Sequence, residues 1–288
     1  MAAGDFDAAF RASDAVLAAH DPATRDDPGL PYHRRWVWDG RSPAGRHVLV
    51  RCYHGLGDTL QFCRYLPALR SRARRVTLEA QPELCGLLRG VPGIDALHGF
   101  DPAHPLPPAE CDIEIMELAH ALRLPPAPTP YLHPPGPPVE SPAEPSEGQV
   151  GFCWQAGLWN PARSVPPALL APLLSIPGLV PVCLQRGAPP ILGPDPLHGS
   201  MDIAAMARLL SGLAAIVTVD TMVAHLAGAL GRPVFLLLHH EPDWRWTPPG
   251  TWYASVRQYA QRRPGDWSEP LRRLAGDLAG TLQRAKGL

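Results

Sequence analysis

Residues Ile216 to Phe235 read IVTVDTMVAHLAGALGRPVF, and their pattern sets the fold. The apolar run Ile216–Val219 has the length of a buried parallel strand. Asp220-Thr221 breaks it, and small residues follow at helical spacing. Gly231-Arg232-Pro233 then stops the helix ahead of a second apolar run, Val234–Leu238. This is a βαβ unit, predicted to carry Asp220 as the helix cap. The amides of Thr221, Met222 and Val223 would stand at the positive end of the helix dipole, where a phosphate group binds well. Thr221 and His225 are four apart and share a helix face. A capped helix beside an ordinary, partly buried histidine fits this stretch equally well, so other parts of the chain must decide its role.

Outward from this unit, the same strand–helix alternation recurs. A short amphipathic helix is predicted over residues 4–19. A strand at His47–Cys52 leads into His54-Gly55-Leu56-Gly57-Asp58 and a helix over Thr59–Arg70. Val76–Ala80 reads as a strand, Pro82–Arg89 as a helix, and Asp112–Met116 as a strand near a sheet edge. Prolines crowd residues 124–145, which marks a stiff linker. Two α/β lobes follow, 1–138 and 147–288. The second is read as strands at Gln149–Trp154, Val180–Leu184 and Ser255–Tyr259, with helices at Pro167–Leu174, Asp202–Leu210 and Pro270–Arg284. Two such lobes place a ligand cleft at the carboxyl ends of their strands.

Composition narrows the classes. With 288 residues and a net charge of −1, nothing marks a nucleic-acid partner or a polybasic membrane surface. The N-terminus lacks a signal-peptide pattern and no stretch is long enough to span a membrane. The six cysteines show no C-x-x-C spacing, and a cytoplasmic location is expected. Lys286 is the sole lysine, so a cationic side chain for an anion inside the fold must be Arg or His. Arg163, in the loop after the Gln149–Trp154 strand, is either a solvated surface arginine or a phosphate contact, for which its planar fork offers a two-point grip. Asp58 is placed either to cap its helix or to accept a proton from a hydroxyl group. His239-His240-Glu241 with Asp243 matches no standard metal spacing, and no metal or cofactor is expected. Trp244, Trp246, Trp252, Tyr253 and Trp267 are expected mainly to pack the closing segment, with Arg245 or Trp246 facing the cleft.

HGLGDTLQFCRYLPAL, WDG with Gly45 downstream, and VTVDTMVAHLAGALGRPVFLLL followed by PDWRW, WY and GDW together resemble the glycosyltransferase domain of the heptosyltransferase superfamily. The likeness runs from about Trp38 to the C-terminus. It is nearest the branch fused to tetratricopeptide repeats in bacterial protein glycosylation. The resemblance implies a GT-B fold of two Rossmann-like lobes, and an inverting, metal-independent glycosyltransferase of hexosyl or heptosyl type. Such an enzyme uses a nucleoside-diphosphate sugar and a hydroxyl acceptor on protein or glycan. It further implies Asp58 as general base. Gly57, Arg163, Asp220, Thr221, Met222 and His225 would lie around the donor diphosphate, and Gln185 near the nucleoside. His54, Arg245 and Trp246 fall on the acceptor side. Where related domains carry an acid and Gln before G-L-G-D, this chain has Cys52-Tyr53-His54. That departure motivates one rival, a catalytically idle binding domain; a GT-B-shaped sugar-nucleotide epimerase is a further one.

Overall fold

The computed structural model describes residues 5–134, 148–157, 160–187, 192–200, 202–248 and 250–285. It divides into two compact units, Met1–Pro126 and Ala127–Leu288. The boundary expected near 138–147 lies outside the described residues. The second unit takes in the chain from Ala127, because the described part of the proline-rich stretch is already bonded into it. Ala254 N–H donates to Pro128 O, and Tyr131 and Leu132 N–H both donate to Ala229 O.

In the first unit α1 (Phe6–Ala19) precedes β1 (His47–Arg51), α2 (Leu56–Phe62), α3 (Leu66–Arg70), β2 (Arg75–Ala80), α4 (Pro82–Leu88), β3 (Ala96–Gly99), β4 (Cys111–Glu114) and α5 (Leu118–Leu122). The strands form one parallel sheet in the order β3-β2-β1-β4. One helix was expected from Thr59 to Arg70. It begins earlier, at Leu56, and is broken by a 3-10 turn over Cys63–Tyr65. Pro67 has no N–H to reach Cys63 O, so the α-helical ladder cannot run through. β3 escapes sequence reading because Ala-Leu-His-Gly has neither alternation nor β-branching, and it sits exposed at the sheet edge. Arg51, at the end of β1, is buried between its neighbours. Its guanidinium bonds Asp112 Oδ2 at 2.8 Å and Glu79 Oε2 at 2.8 Å, which clamps three adjacent strands.

The second unit runs β5 (Gln149–Cys153), α6 (Pro167–Leu170), β6 (Val180–Cys183), α7 (Ile203–Gly212), β7 (Ala215–Val219), α8 (Met222–Ala229), β8 (Val234–Leu238), β9 (Val256–Ala260) and α9 (Ser268–Ala285). Its sheet is parallel throughout, in the order β6-β5-β7-β8-β9. Phe152, Val217, Phe235, Tyr259, Trp267 and Leu278 belong to its core. The expected helix over Pro167–Leu174 is shortened by Pro172 and finishes as a 3-10 turn. Gly231 ends α8 with φ of +71°, and a Cβ there would lie 2.6 Å from the Pro130 ring. Glycine alone meets both demands. Cys52, Cys111, Cys153 and Cys183 are buried, free core thiols, as their strand positions predict.

Candidate functional site

Sheet order fixes where each unit can hold a ligand. In the second unit the chain passes from β6 back across β5 to β7, so the loops leaving β5 and β7 diverge. The crevice of an open α/β sheet lies at that switch point, beyond the carboxyl ends of the strands. The loop after β5 carries Trp154-Gln155 and continues to Arg163; the loop after β7 is Asp220-Thr221.

The structure brings these residues together. Asn160 accepts from Ala162 N–H and so caps the tight turn Pro161–Arg163. From that turn Arg163 Nη1 donates to Asp220 O at 3.1 Å and to Asp220 Oδ2 at 3.3 Å. Both side chains are largely enclosed, at 11% and 10% exposure. Asp220 is therefore not the helix cap. Thr221 caps α8, its Oγ1 accepting from Val223 N–H, and the Asp220 carboxylate is engaged with the guanidinium. Met222, the first residue of the helix, presents its N–H along the helix axis at the positive end of the dipole.

Gln185 joins the cluster by holding a turn. Its Oε1 accepts from Trp154 N–H at 3.1 Å and Gln155 N–H at 2.8 Å, which fixes the backbone as it leaves β5. The Cys153 thiol lies between Gln185 Oε1 and Thr221 Oγ1, at 3.6 and 3.8 Å, and burial pushes its pKa up. A cavity of about 370 Å³ adjoins this loop, lined by Trp154, Gln155, Ala156, Gly157, Ser164 and Val165 among others. His239, just beyond β8, lies 3.5 Å from the Asn160 amide through its Nε2. Burial holds its imidazole below the ordinary histidine range.

His225 is further from solvent than its spacing from Thr221 suggests. It is 6% exposed; its Nδ1 meets Tyr253 Oη at 3.1 Å and its ring stacks on Trp246 at 5.0 Å. Trp246, expected with Arg245 as a candidate to face the cleft, is 3% exposed, whereas Trp244 is 37% exposed. The Trp-x-Trp turn is closed by Asp243, which accepts from Arg245 N–H and pairs with its guanidinium at 3.0 Å. Arg245 also lies 5.1 Å over the Trp244 ring. The remaining aromatics of this segment, Trp252, Tyr253 and Trp267, pack as expected.

In the first unit the switch point falls between β1 and β4. The loop after β1 is Cys52 to Gly55, and α2 follows with Gly57 and Asp58 in its first turn. Asp58 Oδ2 accepts from Gly55 N–H at 2.9 Å, closing the helix start as an N3 carboxylate does. His54 Nδ1 lies 3.1 Å from Glu114 Oε1, at the end of β4. The sequence gives no motif for Glu114 or its neighbour Glu117. An Asp-x-Glu ending an edge strand is the only signal there. Glu117 accepts from Glu114 N–H and Trp38 N–H, and burial pushes its carboxyl up to about 8. These residues border a cavity of about 420 Å³.

Among the described residues no three His, Cys, Asp or Glu side chains could hold a metal ion. None of their helices is long and apolar enough to cross a membrane.

Residues 193–263, which contain α7, β7, α8, β8 and β9, match the model for glycosyltransferase family 9 (heptosyltransferase). Protein FlbA of Caulobacter vibrioides is 30% identical over 150 residues, 45% of this chain and 25% of that protein. The chain thus spans a quarter of the length of this relative. A family 9 glycosyltransferase structure from Veillonella parvula superposes with a TM-score of 0.61 at 13% identity, over 85% of this chain and 99% of that one. The dodecameric iron-containing heptosyltransferase TibC of Escherichia coli, in complex with ADP-D-beta-D-heptose, gives 0.57 at 14% identity, over 86% and 78%. The fold is GT-B. With the family match on the α8 segment, it supports a glycosyltransferase.

Proposed function

We propose that this chain moves a sugar from a nucleoside-diphosphate donor to an acceptor hydroxyl, inverting the anomeric centre without a metal ion. The observation that carries this is the cluster at the second unit's switch point. There an enclosed arginine, Arg163, and the amide end of α8 converge beside Thr221. A diphosphate is the ligand whose charge suits both: the guanidinium offers a two-point grip and the helix end offers N–H donors. Together they can take up charge on the leaving group that a metal would otherwise neutralise.

In this scheme the donor diphosphate lies against Arg163, Thr221 and Met222, and its nucleoside lies along the loop that Gln185 holds. Asp220 positions Arg163 and gives up part of that contact to the incoming phosphate. The loop and first turn at residues 54–58 carry the base for the acceptor hydroxyl, a role that the heptosyltransferase likeness gives to Asp58. The TibC complex with ADP-D-beta-D-heptose makes an ADP-sugar the first donor to try. Acceptors of protein or glycan type are proposed from the likeness to repeat-linked bacterial transferases, and a cytoplasmic site of action accords with nucleotide-sugar supply. Incubation with a panel of nucleotide sugars, read by mass spectrometry, should release a nucleoside diphosphate from one of them. Release from none, with none bound, would leave a binding or scaffold domain.

A further inference from the structure

His239 and His240 follow directly on the apolar run of β8. Side chains at adjacent extended positions point to opposite faces, and the two rings part accordingly: His240 is exposed and His239 half-buried. The backbone ahead of them is fixed, because Gln261 N–H donates to Leu238 O at 2.9 Å. β7 lies between β5 and β8 in the sheet. A link from the loop after β5 to the end of β8 therefore passes over the end of β7, where the chain turns through Asp220-Thr221. Asn160 and His239 make that link, Nδ2 to Nε2 at 3.5 Å. Asn160 Oδ1 already accepts from Ala162 N–H, so the group turned to the imidazole is the amide NH2, a donor. Nε2 must then accept, and the ring hydrogen sits on Nδ1. That atom is buried with no hydrogen-bond partner among the described residues. An apolar ring would fill the same space without the cost of an unsatisfied N–H; what the imidazole adds is an acceptor for Asn160. The base of the loop is closed separately, by Val165 N–H to Trp154 O at 2.9 Å and Ala156 N–H to Ser164 Oγ at 3.0 Å. Its tip, where Asn160 caps the turn that ends in Arg163, is tied to β8 through His239.

We propose that His239 is a positioning residue for the donor phosphate site: through the amide of Asn160 it holds the turn that aims Arg163 at the diphosphate. The proposal rests on the transferase reading above. Asp220 holds the guanidinium from the side of β7, and an incoming phosphate draws it partly away. The Asn160–His239 link keeps the turn in place while that exchange happens, so less freedom is lost on binding. The charged or titratable groups around the imidazole are Asp220, Arg163, Glu241 and His240. Asp220 and Arg163 come from the two loops that form the phosphate site, which puts the ring at its border.

The test uses the full chain at about pH 8, where the imidazole is neutral because burial lowers its pKa. Calorimetry follows whichever of ADP, UDP and GDP the wild type binds. H239F fills the space but offers no acceptor, and should weaken that nucleotide by about 3- to 10-fold, the scale of one net hydrogen bond. H239Q sets a carbonyl oxygen where Nε2 stands and should recover most of the loss. H239N, whose oxygen falls at the Nδ1 position, should not. N160S keeps an oxygen to cap the Ala162 amide but has no NH2, so it should match H239F. The double variant H239F/N160S should then lose no more than either single one. A ring that merely packs would show none of this pattern. Wild-type affinity in H239F, recovery by H239N rather than H239Q, or additive losses in the double variant overturns the proposal and leaves the transferase reading standing. If H239F does not fold, H239N takes its place beside H239Q, and equal affinities in those two overturn the proposal. A wild-type chain that binds none of the three nucleotides removes the transferase reading, and this inference with it.

Discussion

Arg163 concentrates the account at the scale of one residue. Its guanidinium is enclosed, and it donates to the carboxylate and carbonyl of Asp220. Arg163→Ala should weaken nucleoside-diphosphate binding by about 1.5–3 kcal/mol, the range for a charge-assisted hydrogen bond. Calorimetry would read this as a loss of about 10- to 150-fold. Unchanged affinity would remove Arg163 from the phosphate site. Glu117 offers a test that needs no ligand. Its folded carboxyl is raised to about 8 from an ordinary 4.5, so between those values the native state holds a proton that the unfolded chain has lost. Stability must then fall as pH rises from about 4.5 through 8, and level off above. Glu117→Gln keeps an acceptor for the Trp38 and Glu114 amides and should flatten this slope. Urea midpoints at pH 6 and pH 8 check it, and equal slopes in both proteins would contradict the assignment.

At the scale of elements, α8 shows what small residues are for. Gly228 faces the Tyr253 ring so closely that a Cβ would lie 2.7 Å from it. Tyr253 in turn contacts His225 and Trp246. Gly228→Ala should therefore overpack the helix against the closing aromatic segment and cost about 1–3 kcal/mol. Denaturant unfolding would measure the loss, and a wild-type midpoint would mean the ring moves aside freely. The strand–helix alternation of this unit was legible because buried parallel strands are apolar throughout and Gly231 stops the helix. The cap was misassigned because Asp220 and Thr221 are both good caps, and only the distant Arg163 decides between them. The broken helices at Pro67 and Pro172 were legible in principle, since each proline removes a defined bond. β3 was not, for its four residues carry no period.

At the scale of the whole chain, two α/β units and the parallel character of both sheets could be read from the sequence, but the point of division could not. The prolines over 124–145 signal a linker by composition. Which of them bond into the second unit depends on backbone partners such as Ala229 and Ala254, far away in sequence. The site was legible to the same degree. Asp220 and Thr221 were singled out by motif, Arg163 and Gln185 by their loops, and the four gather at one switch point. Glu114, Asn160 and His239 were missed, because they join through strand order rather than through spacing. Donor binding at that switch point is the claim on which all else depends. Titrating the whole chain with ADP, UDP, GDP and the corresponding nucleotide sugars, with EDTA present, tests it directly. The account predicts that one nucleoside diphosphate binds under those conditions and that Arg163→Ala weakens it by at least about tenfold. No binding by any of them, or binding that Arg163→Ala leaves untouched, would contradict it.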